Sequence, residues 1–367
     1  VTASPEPARS TDRVALRVRG LRVAYGTARG SLTAVDGVSF DLAPGESLGL
    51  VGESGCGKST LGRGLMRLLP PGAAVGGSVE LNGRELLDLG RAELRRVRSE
   101  DLALVFQEPM SRLNPVMRIS SHFVEAIRAH RGDIDKDEAL QMGRAAMRQM
   151  GIPPTRINDY PHEFSGGMRQ RIMIALALVL APSVIIADEP TTSLDVIVEA
   201  QILDLLERLR YEEHVGLLLI THNLGIVAET CDRVAVMYAG RIVEIGPVDQ
   251  VFNDPKHPYT QGLLESVISV DTTELSSIDG APPDLVDPPP GCRYAPRCPQ
   301  RFDDCDRVDP VLGLVGSAAN ASEPAGGDRA RASVSGPTDG DRARASGQWW
   351  AACLLHESAY PREEART

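Results

Sequence analysis

The chain of 367 residues is nearly without lysine: Lys58, Lys136 and Lys256 are the only three, and 36 of its 39 basic residues are arginines. That imbalance reads as the codon bias of a GC-rich genome, not as an arginine-rich binding surface. Acidic residues outnumber basic ones, 50 to 39, and the formal net charge is −11. An acidic chain lacks the electrostatic footprint of a non-specific nucleic-acid binder. A membrane-length apolar run is also missing. The longest, residues 172–187, contains Pro182 and falls short of the ~20 residues that cross a bilayer. Residues 1–13 (VTASPEPARSTDR) lack the apolar core of a signal peptide and are expected to form a disordered leader. These absences imply a soluble, cytosolic protein of two or three domains. Its six cysteines, none in a C-x2-C pair, are then expected as thiols or ligands, not structural disulfides.

What is present begins with strands. Residues 14–25 (VALRVRGLRVAY) alternate apolar and polar, the period of a half-buried strand. A second strand is expected over 34–42, and a short buried one over 47–51. The latter runs into Gly52-Glu53-Ser54-Gly55-Cys56-Gly57-Lys58-Ser59, the G-x-x-x-x-G-K-S pattern of a P-loop, with a helix expected from Thr60. Strand before and helix after are the context that gives this motif meaning. Backbone N–H groups of the loop can wrap phosphates, Lys58 can reach the β- and γ-phosphates, and Ser59 can ligate Mg²⁺. Cys56 sits at a helix N-terminus beside a lysine, so a lowered pKa and reactivity are expected of it.

Further strands are expected over 79–81 and 102–106, the second ending at Gln107. From about 110 the pattern turns helical and charged. Ser165-Gly166-Gly167-Met168-Arg169-Gln170 then precedes an apolar helix, and the strand 184–186 closes on Asp188-Glu189, followed by Ser193-Leu194-Asp195. Two glycines and a serine at a helix start offer free N–H groups and a positive dipole end to an anion. The strand delivers two carboxylates to the sheet edge where open α/β folds bind ligands. An amphipathic helix (199–209), a buried strand (216–220) ending at Thr221-His222, and a hairpin around Ala239-Gly240 follow.

This order of motifs resembles the ATPase subunits of ATP-binding cassette (ABC) transporters. The resemblance implies an α/β, RecA-like P-loop NTPase cassette over 14–250, with an antiparallel β subdomain and an α-helical subdomain at about 110–165. It implies that Tyr25 stacks on adenine, although an ordinary core or edge tyrosine fits the sequence as well. The P-loop residues and Thr60 would bind ATP, and Gln107, Ser59 and Asp188 would attend Mg²⁺. Glu189 would activate water and His222 would hold the γ-phosphate; Asn223, often Asp in such proteins, departs from the pattern. Ser165, Gly166, Gly167 and Gln170 would face the nucleotide of a second cassette, and Asp195 belongs to the D-loop.

The tail narrows the resemblance to oligopeptide/dipeptide importers. Its carriers are Asp254-Pro255-Lys256-His257-Pro258-Tyr259-Thr260 with Gly262-Leu263-Leu264, then Gly280-Ala281-Pro282-Pro283, then the run from Pro290 to Pro299. Partners implied are a second ATPase, expected to be a different chain, two permeases and an extracytoplasmic solute-binding protein, with the chain on the cytoplasmic face of the bacterial plasma membrane. Nickel or another small solute is an alternative cargo. An ABC ATPase acting on nucleic acid in repair or translation is the rival class; the acidic charge and single cassette disfavour it. The region 251–367 is expected as a small cysteine-containing domain. Cys292, Cys298, Cys305 and Cys353 are expected to hold a [4Fe–4S] cluster, as in some members of the family, with zinc, free thiols or an artefactual disulfide as the alternatives and His356 a lesser ligand candidate. No cysteine of this set falls in a nucleotide motif, so the site is expected to leave P-loop chemistry untouched. Residues 316–347, with GDRARAS at 327–333 and again at 340–346, are expected to be a disordered insertion.

Overall fold

The structure, a computed structural model, describes residues 14–105, 113–192, 195–266, 278–317, 347–356 and 358. The expected leader, Gln107, Ser193, Leu194 and nearly all of the expected insertion lie outside those residues.

Two sheets organise the chain. The smaller is antiparallel, in the order β2-β1-β4-β5. It is built from β1 (Leu16–Thr27), β2 (Gly30–Leu42), β4 (Ala74–Leu81) and the two-residue β5 (Arg84–Glu85). The turn between β4 and β5 is Asn82-Gly83, both left-handed at φ 49° and 80°. This is the residue pair that a two-residue hairpin turn prefers.

The larger sheet has eight strands in the order β11-β12-β10-β9-β3-β8-β7-β6. Its parallel heart is β9 (Arg233–Tyr238), β3 (Ser47–Val51), β8 (Gly216–Ile220), β7 (Val184–Asp188) and β6 (Leu102–Val105). Every residue of β3, β7, β8 and β9 is buried. Such continuous apolar runs are what a parallel sheet covered on both faces demands. Three antiparallel strands extend it: β10 (Arg241–Pro247), β12 (Gln348–Ala351) and, outermost, β11 (Gly313–Ser317). β11 reaches two residues into the stretch expected to be an insertion, and its partner β12 resumes on the far side of it.

One core lies between the antiparallel sheet, α1 (Lys58–Leu65) and one face of the large sheet. A second fills the opposite face, beneath α3 (Ile119–His130), α4 (Lys136–Gln149), α5 (Gly166–Leu178) and α6 (Val196–Glu213). Helix α2 (Arg91–Glu100) leads into β6. A third core joins the tail to the cassette: α7 (Leu224–Thr230), α8 (Val248–Asn253) and α9 (Pro258–Glu265) contribute to it beside Tyr238, Tyr294 and Trp349. Among the described residues, no helix is long and apolar enough to cross a membrane.

Candidate nucleotide site and the cysteine-bearing tail

The parallel order brings the site together. β3, β7 and β8 are neighbours, so the loop after β3, the carboxylates at the end of β7 and the histidine after β8 converge at one sheet edge. The loop itself is made possible by glycine. Gly52 stands at φ 150°, where a Cβ would lie 2.1 Å from the Met237 carbonyl oxygen. Gly57 stands at φ 111°, where a Cβ would lie 2.2 Å from that of Ala34. Ser54 and Gly55 form the exposed tip. Lys58 is buried, and its ammonium donates to the carbonyls of Gly52 (2.6 Å) and Glu53 (3.0 Å). Ser59 and Thr60 open α1, half-buried.

Ser59 donates from its hydroxyl to Asp188 Oδ1 at 2.9 Å, so two oxygens of the kind that hold Mg²⁺ are already paired. Burial pushes the Asp188 carboxyl above its ordinary range, against the pull of that hydroxyl. Glu189, next along, adopts φ 47°, a left-handed conformation that is uncommon for a residue bearing a side chain. Its N–H donates to the Ile220 carbonyl (2.8 Å), tying the turn to β8. Oε2 accepts from the Thr192 hydroxyl (2.8 Å) and Oε1 from His222 Nδ1 (3.2 Å). Burial would raise the Glu189 pKa, but the bonds from Thr192 and His222 outweigh it and hold the carboxyl below its usual range. Nothing in the sequence pattern marked Thr192 as its partner.

Other expected residues fall in varied places. Tyr25 is half-buried against the first core. Ser165 caps α5, accepting from the Met168 N–H (3.3 Å), and Gly166-Gly167 form its first turn. Gln170, grouped above with residues facing a second nucleotide, is only 1 % exposed and donates to the Pro190 carbonyl (2.6 Å). It links the signature helix to the segment just after Glu189. Asp195 caps α6, accepting from Val198 N–H at 3.0 Å. One expectation is reversed: Cys56 is buried, and burial raises its pKa despite Lys58 nearby. Desolvation beats the helix terminus there, so an activated thiol is not what the loop holds.

The family description "ABC transporter" matches residues 35–192, and "Oligopeptide/dipeptide transporter, C-terminal region" matches residues 243–305. The dipeptide transport ATP-binding protein DppD of Bacillus subtilis is 48 % identical over 301 residues, covering 80 % of this chain and 90 % of that one. This chain belongs to the ABC transporter ATPases. The oligopeptide transport ATP-binding protein OppD of Salmonella typhimurium is 46 % identical over 314 residues, 84 % of this chain and 92 % of that one. A solved ATP-binding cassette, a dimer in a post-hydrolysis state bound to ADP and phosphate, superposes with a TM-score of 0.57. It is 25 % identical and covers 64 % of this chain and 98 % of its own. The ABC fold and an ATPase of the transporter kind follow.

Beyond the cassette, the tail is drawn back onto it. Glu244 of β10 is fully buried and accepts from the N–H groups of Lys256 (2.9 Å) and His257 (3.0 Å) and from Trp349 Nε1 (2.8 Å). His257 caps α9, its Nδ1 accepting from the Tyr259 N–H (3.0 Å); burial pushes its pKa down to about 3. All six cysteines are free. The four of the tail sit in one neighbourhood: Cys292 donates its N–H to the Cys305 carbonyl (2.8 Å), and Cys353 feels the charge of the other three. Burial first, then the neighbouring sulfurs, pushes Cys292 to about 11 and Cys353 to about 12. Among the described residues, no three His, Cys, Asp or Glu side chains are drawn together closely enough to hold a metal ion. His356 turns its Nε2 to the Lys256 carbonyl (3.2 Å) and away from a ligand role. The tail also reaches the nucleotide loop, through an arginine and not a cysteine: Arg297, between Cys292 and Cys298, forms a two-pronged ion pair with Glu53 (2.7 and 3.0 Å).

Proposed function

We propose that this ATPase powers uptake of oligopeptides or dipeptides through two permease subunits, from the cytoplasmic face of the membrane, with an extracytoplasmic protein delivering the solute. The observation that carries the reading is the convergence of Lys58, Ser59–Asp188 and Glu189–His222 on one sheet edge, in a chain whose tail matches the oligopeptide/dipeptide group. The relatives' names speak of dipeptide and oligopeptide transport.

In this reading residues 14–250 are the nucleotide-binding unit and 251–367 the tail. The N–H groups from Ser54 to Thr60 wrap the phosphates. Lys58 exchanges its two carbonyl partners for phosphate oxygens. Ser59 and Asp188, with Gln107, hold Mg²⁺, whose charge relieves the buried Asp188. Glu189, kept ionised, takes the proton of the attacking water, and His222 steadies the γ-phosphate. Tyr25 stacks on adenine. Ser165 and Gly166-Gly167 present their N–H groups to the nucleotide of a second cassette, a different chain of the same family, with Asp195 beside that interface.

The tail cysteines, free and not drawn into a closed ligand set as they stand, would have to close around a [4Fe–4S] cluster, which would supply a rigid cross-link to a proline-rich segment. Four soft donors in one neighbourhood of the tail support it. Purified without oxygen, the chain should be brown and carry about four irons, one per cysteine ligand. Stoichiometric zinc without iron would replace the cluster by a structural zinc site. Function is tested by expressing the chain with its neighbouring permeases and solute-binding protein in vesicles. ATP-dependent peptide accumulation is expected; accumulation of nickel but no peptide would reassign the cargo.

A further inference from the structure

Glu53 is held three ways. Its backbone N–H donates to Tyr259 Oη (2.9 Å), its carboxylate takes both prongs of Arg297 (2.7 and 3.0 Å), and its carbonyl accepts from Lys58 (3.0 Å). One residue of the P-loop is thus the joint between the tail and the lysine of the loop. The tail side of this joint is stiff. The Arg297 side chain is 4 % exposed, and its Nε donates to the Asp279 carbonyl (2.8 Å) and Nη2 to that of Ile278 (3.1 Å). Tyr259 is fully buried, with ring centroids 4.5 Å from Tyr238 and 5.4 Å from Tyr294.

We propose that Arg297 and Tyr259 are positioning residues of the nucleotide loop, gripping Glu53 from outside so that the loop is already in its phosphate-wrapping shape before nucleotide arrives. This deepens, and rests on, the reading of that loop as the nucleotide site. Neither residue touches nucleotide; both act through Glu53. A loop of glycines has many shapes to lose on binding, and fixing one end of it in advance lowers that cost. The Arg297 fork holds carboxylate orientation as a single ammonium does not.

The test is Mg·ATP affinity of the full chain, with steady-state kinetics on the assembled transporter. Arg297→Ala should raise Kd and KM about tenfold while kcat stays within about twofold, and Arg297→Lys should recover only part of the loss. Glu53→Gln should match Arg297→Ala, and the double variant should be no weaker than either single one, the signature of a shared interaction. Tyr259→Phe, which keeps the ring and removes only the oxygen, should weaken affinity about threefold. Lys58→Ala separates this idea from the reading beneath it. If Lys58→Ala loses nucleotide while Glu53→Gln and Tyr259→Phe bind like wild type, the positioning role is overturned alone. Unchanged affinity in Lys58→Ala overturns both. Should Arg297→Ala fail to fold, Glu53→Gln and Tyr259→Phe still decide.

Discussion

Glu189 carries a left-handed backbone, and its carboxylate is fixed from both sides by Thr192 and His222. Holding a residue with a side chain there costs about 1–3 kcal/mol, and such positions gather at functional sites. Glu189→Gln preserves shape and backbone but removes the base. The expected result is near-normal ATP binding with hydrolysis lowered about a hundredfold or more, the scale of general-base loss; turnover at the wild-type rate would sink the assignment. Lys58, Ser59, Asp188, Glu189 and His222 were legible in the sequence because each stands in a short motif whose flanking strand or helix is itself local. The grip of Arg297 on Glu53 was not, since 244 residues separate them and no pattern within either segment points to the other. Cys56 was misread for a related reason: helix terminus and lysine are local features, whereas the burial that outweighs them is tertiary.

At the scale of elements, the buried strands β3 and β8 fall where their apolar runs placed them, because a strand covered on both faces leaves an unbroken signal. The β4–β5 hairpin was overlooked although Asn82-Gly83 announces it, and the last two residues of β11, Gly316 and Ser317, were absorbed into the expected insertion because they are small. Ser317 and Gln348 face each other across β11 and β12. Replacing residues 318–347 by Asn-Gly should therefore close a tight hairpin. Uptake and ATPase activity should be retained, with stability rising by up to ~2 kcal/mol from the shorter closure. Failure to assemble would mean that the removed segment contacts a partner. Helix α9 makes a second prediction through its cap. His257 is held neutral, with a pKa near 3 against an unfolded value of about 6.5. A depressed pKa on a base means stability is complete above about pH 6.5 and is lost as pH falls from there towards 3, at up to ~1.4 kcal/mol per unit. Asn at this position retains a cap acceptor without the titration. In denaturant titrations from pH 7 to 4, the His257→Asn chain should show the shallower decline; identical slopes would remove His257 as the cause. The comparison of slopes also cancels Glu244, whose raised pKa acts in the opposite direction in both chains.

For the molecule as a whole, cassette and tail are one mechanical object. Arg293 and Arg241 both reach Asp36 of β2, and Arg297 reaches the P-loop, so the segment carrying Cys292 and Cys298 braces both sheets. On the proposal that the tail cysteines close around a cluster, removing iron from the anaerobically prepared chain should make residues 278–317 protease-sensitive and weaken Mg·ATP binding in parallel. Proteolysis that rises with no change in affinity would show that the cysteine site stabilises the tail alone. β12 adds a matter of timing. Trp349 reaches Glu244 across 105 residues of chain. At roughly 5–20 residues per second, synthesis leaves the β10 edge open for about 5–20 s before β12 can cover it. A bare strand edge invites pairing with any passing strand, and an inward-pointing charge is one of nature's defences. The same Glu244 that later receives Trp349 can thus guard β10 on the ribosome, repelling strangers until its own strand arrives.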